Sequence, residues 1–155
     1  MSNKRYLKFI HETDRKEPPN PYSEGLLSKE IGINNLPVVQ VTWYDAVDYC
    51  RWTGKRLPSE AQWEKAARGD KGFIFPWGSE QPSIKTVNFQ KNWQGVKTLW
   101  PVTINIETSS PYGLRGMAGN VREWVQDWYS PIYFDTAPSA NPKGPEKGIL
   151  KVIKG

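Results

Sequence analysis

Thirteen glycines and thirteen prolines interrupt this 155-residue chain so often that no long element can run unbroken through it. Proline fixes φ and lacks an amide donor, and glycine is entropically costly inside helices and strands, so both end elements or mark turns. The breaks argue against a regular helical bundle or an open sheet and for short helices joined by ordered loops. What those loops pack against follows from eight Trp, seven Tyr and five Phe in a sequence that is 37% hydrophobic. A few large side chains must build most of the core. A chain of this length buries one such core and leaves little for a second, so a single domain over 1–155 is expected.

Two helices carry complete start and stop signals. Thr42 with Asp45, and Ser59 with Gln62, have the form of capping boxes, in which each side chain serves the other residue's backbone N–H. Gly54 and Gly69 stop the two helices. Trp43, Ala46, Val47 and Cys50 on the first, and Trp63, Ala66 and Ala67 on the second, recur at three- or four-residue spacing. Each helix therefore has an apolar face, and both faces are expected on one core. A further short helix is predicted over about 2–12 from Tyr6, Phe9 and Ile10, and a brief β-like segment over 36–41. Phe75-Pro76-Trp77-Gly78 reads as a turn within an irregular region. The Gly-rich run from Tyr112 to Trp124 suits a tight loop feeding a buried strand or turn, 138–148 a loop, and 149–153 a last short strand.

Charge and soft ligands narrow the function classes. Twenty-one basic residues stand against 16 acidic ones, net +5, and neither sign forms a long block. Lys143, Lys147, Lys151 and Lys154 make the most basic stretch, but no nucleic-acid motif accompanies them, so no nucleic-acid partner is expected. One cysteine, Cys50, excludes a disulfide within the chain, and one histidine, His11, leaves too few soft ligands for structural zinc. Met1 is followed by Ser-Asn-Lys-Arg-Tyr, not by an apolar signal core, and no run approaches the roughly 20 apolar residues of a membrane span. The expectations are a cytoplasmic location and no membrane partner.

Three segments in order carry a family likeness: Val41-Thr42-Trp43-Tyr44-Asp45-Ala46 with Tyr49-Cys50-Arg51-Trp52, then Gly54-Lys55-Arg56-Leu57-Pro58-Ser59-Glu60-Ala61-Gln62-Trp63-Glu64, then Gly113-Leu114 through Gly119-Asn120-Val121-Arg122-Glu123-Trp124. With Phe75-Pro76-Trp77-Gly78 between them, the chain resembles the formylglycine-generating-enzyme-like (sulfatase-modifying-factor) superfamily over nearly its whole length. The resemblance implies an α+β fold with a C-type-lectin-like core, short helices and strands, and little regular secondary structure. It also implies a strand-rich segment upstream, and a Gly-Gly-Ser segment and catalytic region downstream of 150–155. Neither lies in these 155 residues, so a domain truncated at both ends is expected.

Relatives of this kind include copper-dependent oxidases that convert a sulfatase cysteine to formylglycine, iron-dependent sulfoxide synthases and binding domains. A copper oxidase needs a thiolate pair and an iron enzyme a histidine cluster, and one cysteine and one histidine provide neither. No catalytic or cofactor-binding residue is therefore assigned and no cofactor is required. The expected function is a non-catalytic binding or assembly module, with a protein partner or self-association through 149–153. The alternative is a fragment of a sulfatase-modifying oxidase or related metal-dependent oxygenase whose catalytic C-terminal part is missing or supplied by another chain.

The resemblance also places two calcium loops. Asn88 and the Phe89 carbonyl belong to one that is expected to be lost, since no aspartate follows. Glu123 with the carbonyls of Gly119 and Val121 belongs to the other, where Gly116 replaces an oxygen-bearing side chain and only weak calcium binding is expected. Cys50, Trp43, Arg56, Glu60, Trp63, Asn120 and Trp124 are expected to be structural: Cys50 as a buried small hydrophobe, and Arg56, Glu60 and Trp63 as a brace for the interhelical loop by ion pairing and packing. Trp77, Trp93 and Trp100 are weaker candidates for stacking a ligand.

Overall fold

The computed structural model describes residues 1–18, 33–92, 94, 97–103 and 107–155. Helix α1 (Asn3–Thr13) forms because Tyr6, Phe9 and Ile10 fall on one face and are buried there, and it ends where Asp14 takes the left-handed conformation at φ 50°. Asn3 is fully buried at its start. Its backbone N–H donates to the Leu36 carbonyl at 2.9 Å and its side-chain amide to the Ile33 carbonyl at 3.0 Å, which seats α1 on the 3-10 turn Ile33–Asn35. The segment expected as β-like contributes an isolated bridge between Pro37 and Ser2 and no strand. Proline has no N–H to continue a ladder there.

Both capping boxes form. Thr42 and Asp45 open α2 (Trp43–Trp52), and Ser59 and Gln62 open α3 (Glu60–Arg68), with all reciprocal bonds in place. Gly54 and Gly69 follow their helices at φ 69° and 67°. The two helices do not share a core cluster, contrary to the expectation from their apolar faces. Tyr49 and Trp52 of α2 pack with Tyr6, Phe9, Ile10 and Val38, whereas Trp63, Ala66 and Ala67 of α3 pack with Met117, Val125 and Val152. A third cluster joins Ile33, Leu36 and Leu99 to Val39 and Val121. Large rings on α2 and small residues on α3 select different neighbours: Phe9 needs edge and tilted ring partners, and the alanines let α3 sit close on a sheet.

That sheet is two-stranded and antiparallel, β1 (Glu123–Trp128) with β2 (Lys151–Lys154). The last strand thus begins two residues later than the 149–153 run suggests. Register runs Glu123 to Lys154 and Trp124 to Ile153, then slips by the pairing of Trp128 with Lys151. An irregularity of this kind frees backbone groups from the ladder, and side chains and loops take them. The Trp43 indole N–H donates to the Val125 carbonyl at 2.8 Å, Gln126 N–H to the Pro58 carbonyl at 2.8 Å, and the Lys151 ammonium to the Gln126 carbonyl at 2.9 Å. Between β1 and β2 lies α4 (Tyr133–Thr136), a single turn with no buried residue and no periodicity to announce it. No helix among the described residues is long and apolar enough to cross a membrane.

Candidate functional site

Charged groups gather where the N-terminal half of α3 meets β1 and β2. Asp127, 3% exposed, accepts the Glu60 N–H at 2.9 Å from 67 residues away, placing a carboxylate on the first turn of α3 where the helix dipole favours it. Burial pushes its carboxyl above the usual carboxylate range, against the pull of that N–H. Lys154, at the end of β2, lies between Glu60 at 3.1 Å and Glu64 at 2.6 Å. Burial works against its charge, but the two carboxylates together hold it above its usual range. Lys151 sits in a cage of indoles, 3.6 Å from the Trp128 ring centroid and 4.0 Å from that of Trp43, where burial pulls its pKa down against the opposing charge of Asp127.

Glu123 faces Trp63, whose indole N–H donates to its carboxylate at 2.7 Å. Burial lifts its carboxyl above the usual range, and the indole bond offsets part of that rise. The carbonyl of Gly119 already accepts the Val121 N–H at 2.9 Å. Gly119 stands at φ 77° with the Asn88 carbonyl 2.6 Å from where a Cβ would be, so only glycine fits this close approach. The Val121 carbonyl packs on Gly155.

Asn120 locks the loops together. It also takes a positive φ, 69°. Its Oδ1 accepts from Asn88 Nδ2 at 2.8 Å and from Trp100 N–H at 2.9 Å, its Nδ2 donates to the Trp100 carbonyl at 3.0 Å, and its N–H donates to the Asn88 carbonyl at 2.7 Å. Asn88 Oδ1 is buried and accepts no hydrogen bond from the described residues. It lies beside a hollow of about 30 Å³ lined by Val87, Trp100, Gly116 and Ala118, the space of one water or one ion. Phe89 is half-buried and precedes Gln90, itself at φ 54°.

Other expected structural residues fall as follows. Trp124 donates its indole N–H to the Val41 carbonyl at 3.0 Å. Arg56 donates to the Leu57 carbonyl and to Gln62 Oε1, and Glu60 turns away from it to Lys154. The brace by ion pairing within the loop is therefore corrected: the loop is held by neutral acceptors, and the Glu60 ion pair ties α3 to β2. Cys50 is half-buried, less enclosed than expected, and burial pushes its thiol up. Trp77 stacks on Phe75 with centroids 5.2 Å apart, and Lys91 lies over Trp100 at 5.0 Å. Trp93 lies outside the described residues. Asp127 and the Lys151 cage were not anticipated from sequence; an aspartate alternating with Val125 on the inward face of a strand was the available signal.

The comparisons agree with this architecture. The sulfatase-modifying factor enzyme 1-like domain family matches residues 1–155, and the chain belongs to that family. It is 42% identical over 144 residues to the formylglycine-generating enzyme of Streptomyces coelicolor, which covers 85% of this chain and 45% of the relative. It is 38% identical, over an alignment of 172 residues, to the serine/threonine-protein kinase Pkn1 of Chlamydia trachomatis serovar L2, covering 100% of this chain and 26% of the kinase. The solved structure of PvdO from Pseudomonas aeruginosa matches with a TM-score of 0.70 and 26% identity over 96% of this chain and 62% of that one. The chain thus spans less than half the length of these two curated relatives.

Proposed function

We infer that these 155 residues form a non-catalytic member of the family, with the C-type-lectin-like core its resemblance implies, acting as a binding or assembly module. The observation that carries this reading is the supply of soft ligands. One cysteine cannot make a thiolate pair, and Cys50 sits half-buried on α2 with its thiol held protonated by desolvation, the opposite of an activated nucleophile. The lone histidine, His11, lies at the end of α1 and cannot form a cluster. The occurrence of a similar segment within a kinase supports a role as a module that serves other chemistry. A copper(I) titration in competition with a chelator tests this: copper is expected to stay with the chelator, and a one-to-one copper complex that survives competition would overturn the reading.

The donor set fits calcium poorly. Glu123 is the one carboxylate of its proposed loop, and it is engaged by the Trp63 indole, while the Gly119 carbonyl is engaged by Val121. A hard cation takes about six to eight oxygens, so water would fill most of the shell. The orphaned Asn88 Oδ1 marks a place for a donor, and the neutral lining of its small hollow favours a water there over a divalent ion.

Assembly has a candidate surface at β2. Ile149 is 95% exposed, Leu150 64% and Ile153 40%, and among the described residues β2 pairs on one edge only. An exposed edge flanked by apolar side chains recruits further strands or apolar faces.

A further inference from the structure

Two hollows open side by side along the outer face of α3. One, of about 400 Å³, is lined by Arg56, Gln126 and Lys143, and the other, of about 580 Å³, by Ala66, Tyr112 and Leu114. They share Ser59, Gln62, Asn141 and Pro142 and so form a continuous groove. Each hollow lies within the range of about 300–1,000 Å³ usual for ligand pockets.

The groove is electrically polar along its length. At one end the Arg56 guanidinium is steadied by two neutral acceptors, the Leu57 carbonyl at 3.3 Å and Gln62 Oε1 at 3.1 Å. Neither Arg56 nor Lys143 has an acidic partner among the described residues. At the other end Lys65 is neutralised by Asp70 at 3.1 Å, which leaves Ala66 and the half-exposed Tyr112 and Leu114 as an apolar floor. Between the ends stands the exposed side-chain amide of Asn141, with that of Gln126 on the cationic side, and both can donate to and accept from a peptide backbone.

The outer wall is firmly built. Asn141 and Gly144 take φ 51° and 79°, and Gly144 packs so closely on Asp127 that a Cβ would meet its Oδ1 at 2.6 Å. Asp127 in turn is bonded to the first turn of α3, so the loop is referenced to the helix it faces, and its buried charge is turned away from the groove. A cationic end, an exposed amide at the junction and an apolar end match an extended segment with an acidic and an apolar side chain.

We propose that this groove docks an extended protein segment, its acidic side chain between Arg56 and Lys143 and its apolar side chain a few residues away over Ala66 and Leu114. The proposal rests on the binding-module reading and names its site. The test is fluorescence anisotropy of the full chain with labelled peptides carrying one glutamate and one leucine at varied spacing on a glycine–serine background. One spacing is expected to bind, and Lys143→Gln, Arg56→Gln or glutamine for the peptide's glutamate each to weaken it about tenfold. Leu114→Ser should weaken it too, and Lys4→Gln on α1 should not. Lys143 and Leu114 are exposed, so their variants keep the test valid even if Arg56→Gln disturbs the loop. Binding that ignores these substitutions, or that inorganic polyphosphate matches, overturns the proposal. So does no binding at all. In that last case self-association in sedimentation would still sustain the module reading, whereas a chain that neither binds peptide nor associates would remove both.

Discussion

Burial of Glu123 makes its contribution to stability depend on pH. Its folded pKa is raised above the unfolded value, so its favourable contribution is fully present below about 4.3 and is lost as pH rises through the folded value. Glu123→Gln removes that loss while its amide oxygen still accepts the Trp63 N–H. Relative to wild type, the variant should therefore gain stability between pH 4.5 and pH 7 in urea unfolding; a difference independent of pH would contradict the assignment. Calcium should bind with a dissociation constant of about 1 mM or weaker, and calorimetry giving a value below about ten micromolar that Glu123→Gln abolishes would show a working cage. Asp127→Ala should cost about 1–2 kcal/mol by orphaning the Glu60 N–H, and Asp127→Asn less, because it keeps an acceptor. Cys50→Ser should cost about 1 kcal/mol, and the thiol should label slowly near neutral pH because burial holds it protonated.

At the scale of elements, what was legible from sequence was what is local. Thr42 with Asp45, Ser59 with Gln62, and the glycines after them are complete within a few residues, and both helices start and stop where those signals stand. Packing partners were not legible, because an apolar face says that a helix is buried and not against what. Hence α2 joined α1 and α3 joined the sheet. The roles of Asp127, Lys151 and Glu60 depend on partners 67, 108 and 94 residues distant, Glu60, Trp43 and Lys154, and no spacing rule reaches so far. The exposed run Ile149-Leu150 ahead of β2 leads to an expectation at this scale. The chain should sediment as a dimer or larger species at micromolar concentration, and Ile149→Lys with Ile153→Thr should shift it to monomer. A wild-type monomer under the same conditions would count against assembly through this edge.

For the molecule as a whole, the function proposed above separates the family scaffold from the catalytic chemistry of the family. The sequence is similar to formylglycine-generating enzymes and to a segment of a kinase, and the fold is similar to that of PvdO. A scaffold that rests on aromatic packing, the Asn120 lock and the α3–β1–β2 junction can persist without a thiolate pair, since none of those contacts uses one. The most direct measurement is turnover: the pure chain incubated with copper, oxygen and a cysteine-containing sulfatase peptide, followed by mass spectrometry for conversion of cysteine to formylglycine. Peptide recovered unchanged is the expected result, and formylglycine formed in proportion to the amount of this chain would contradict a non-catalytic role.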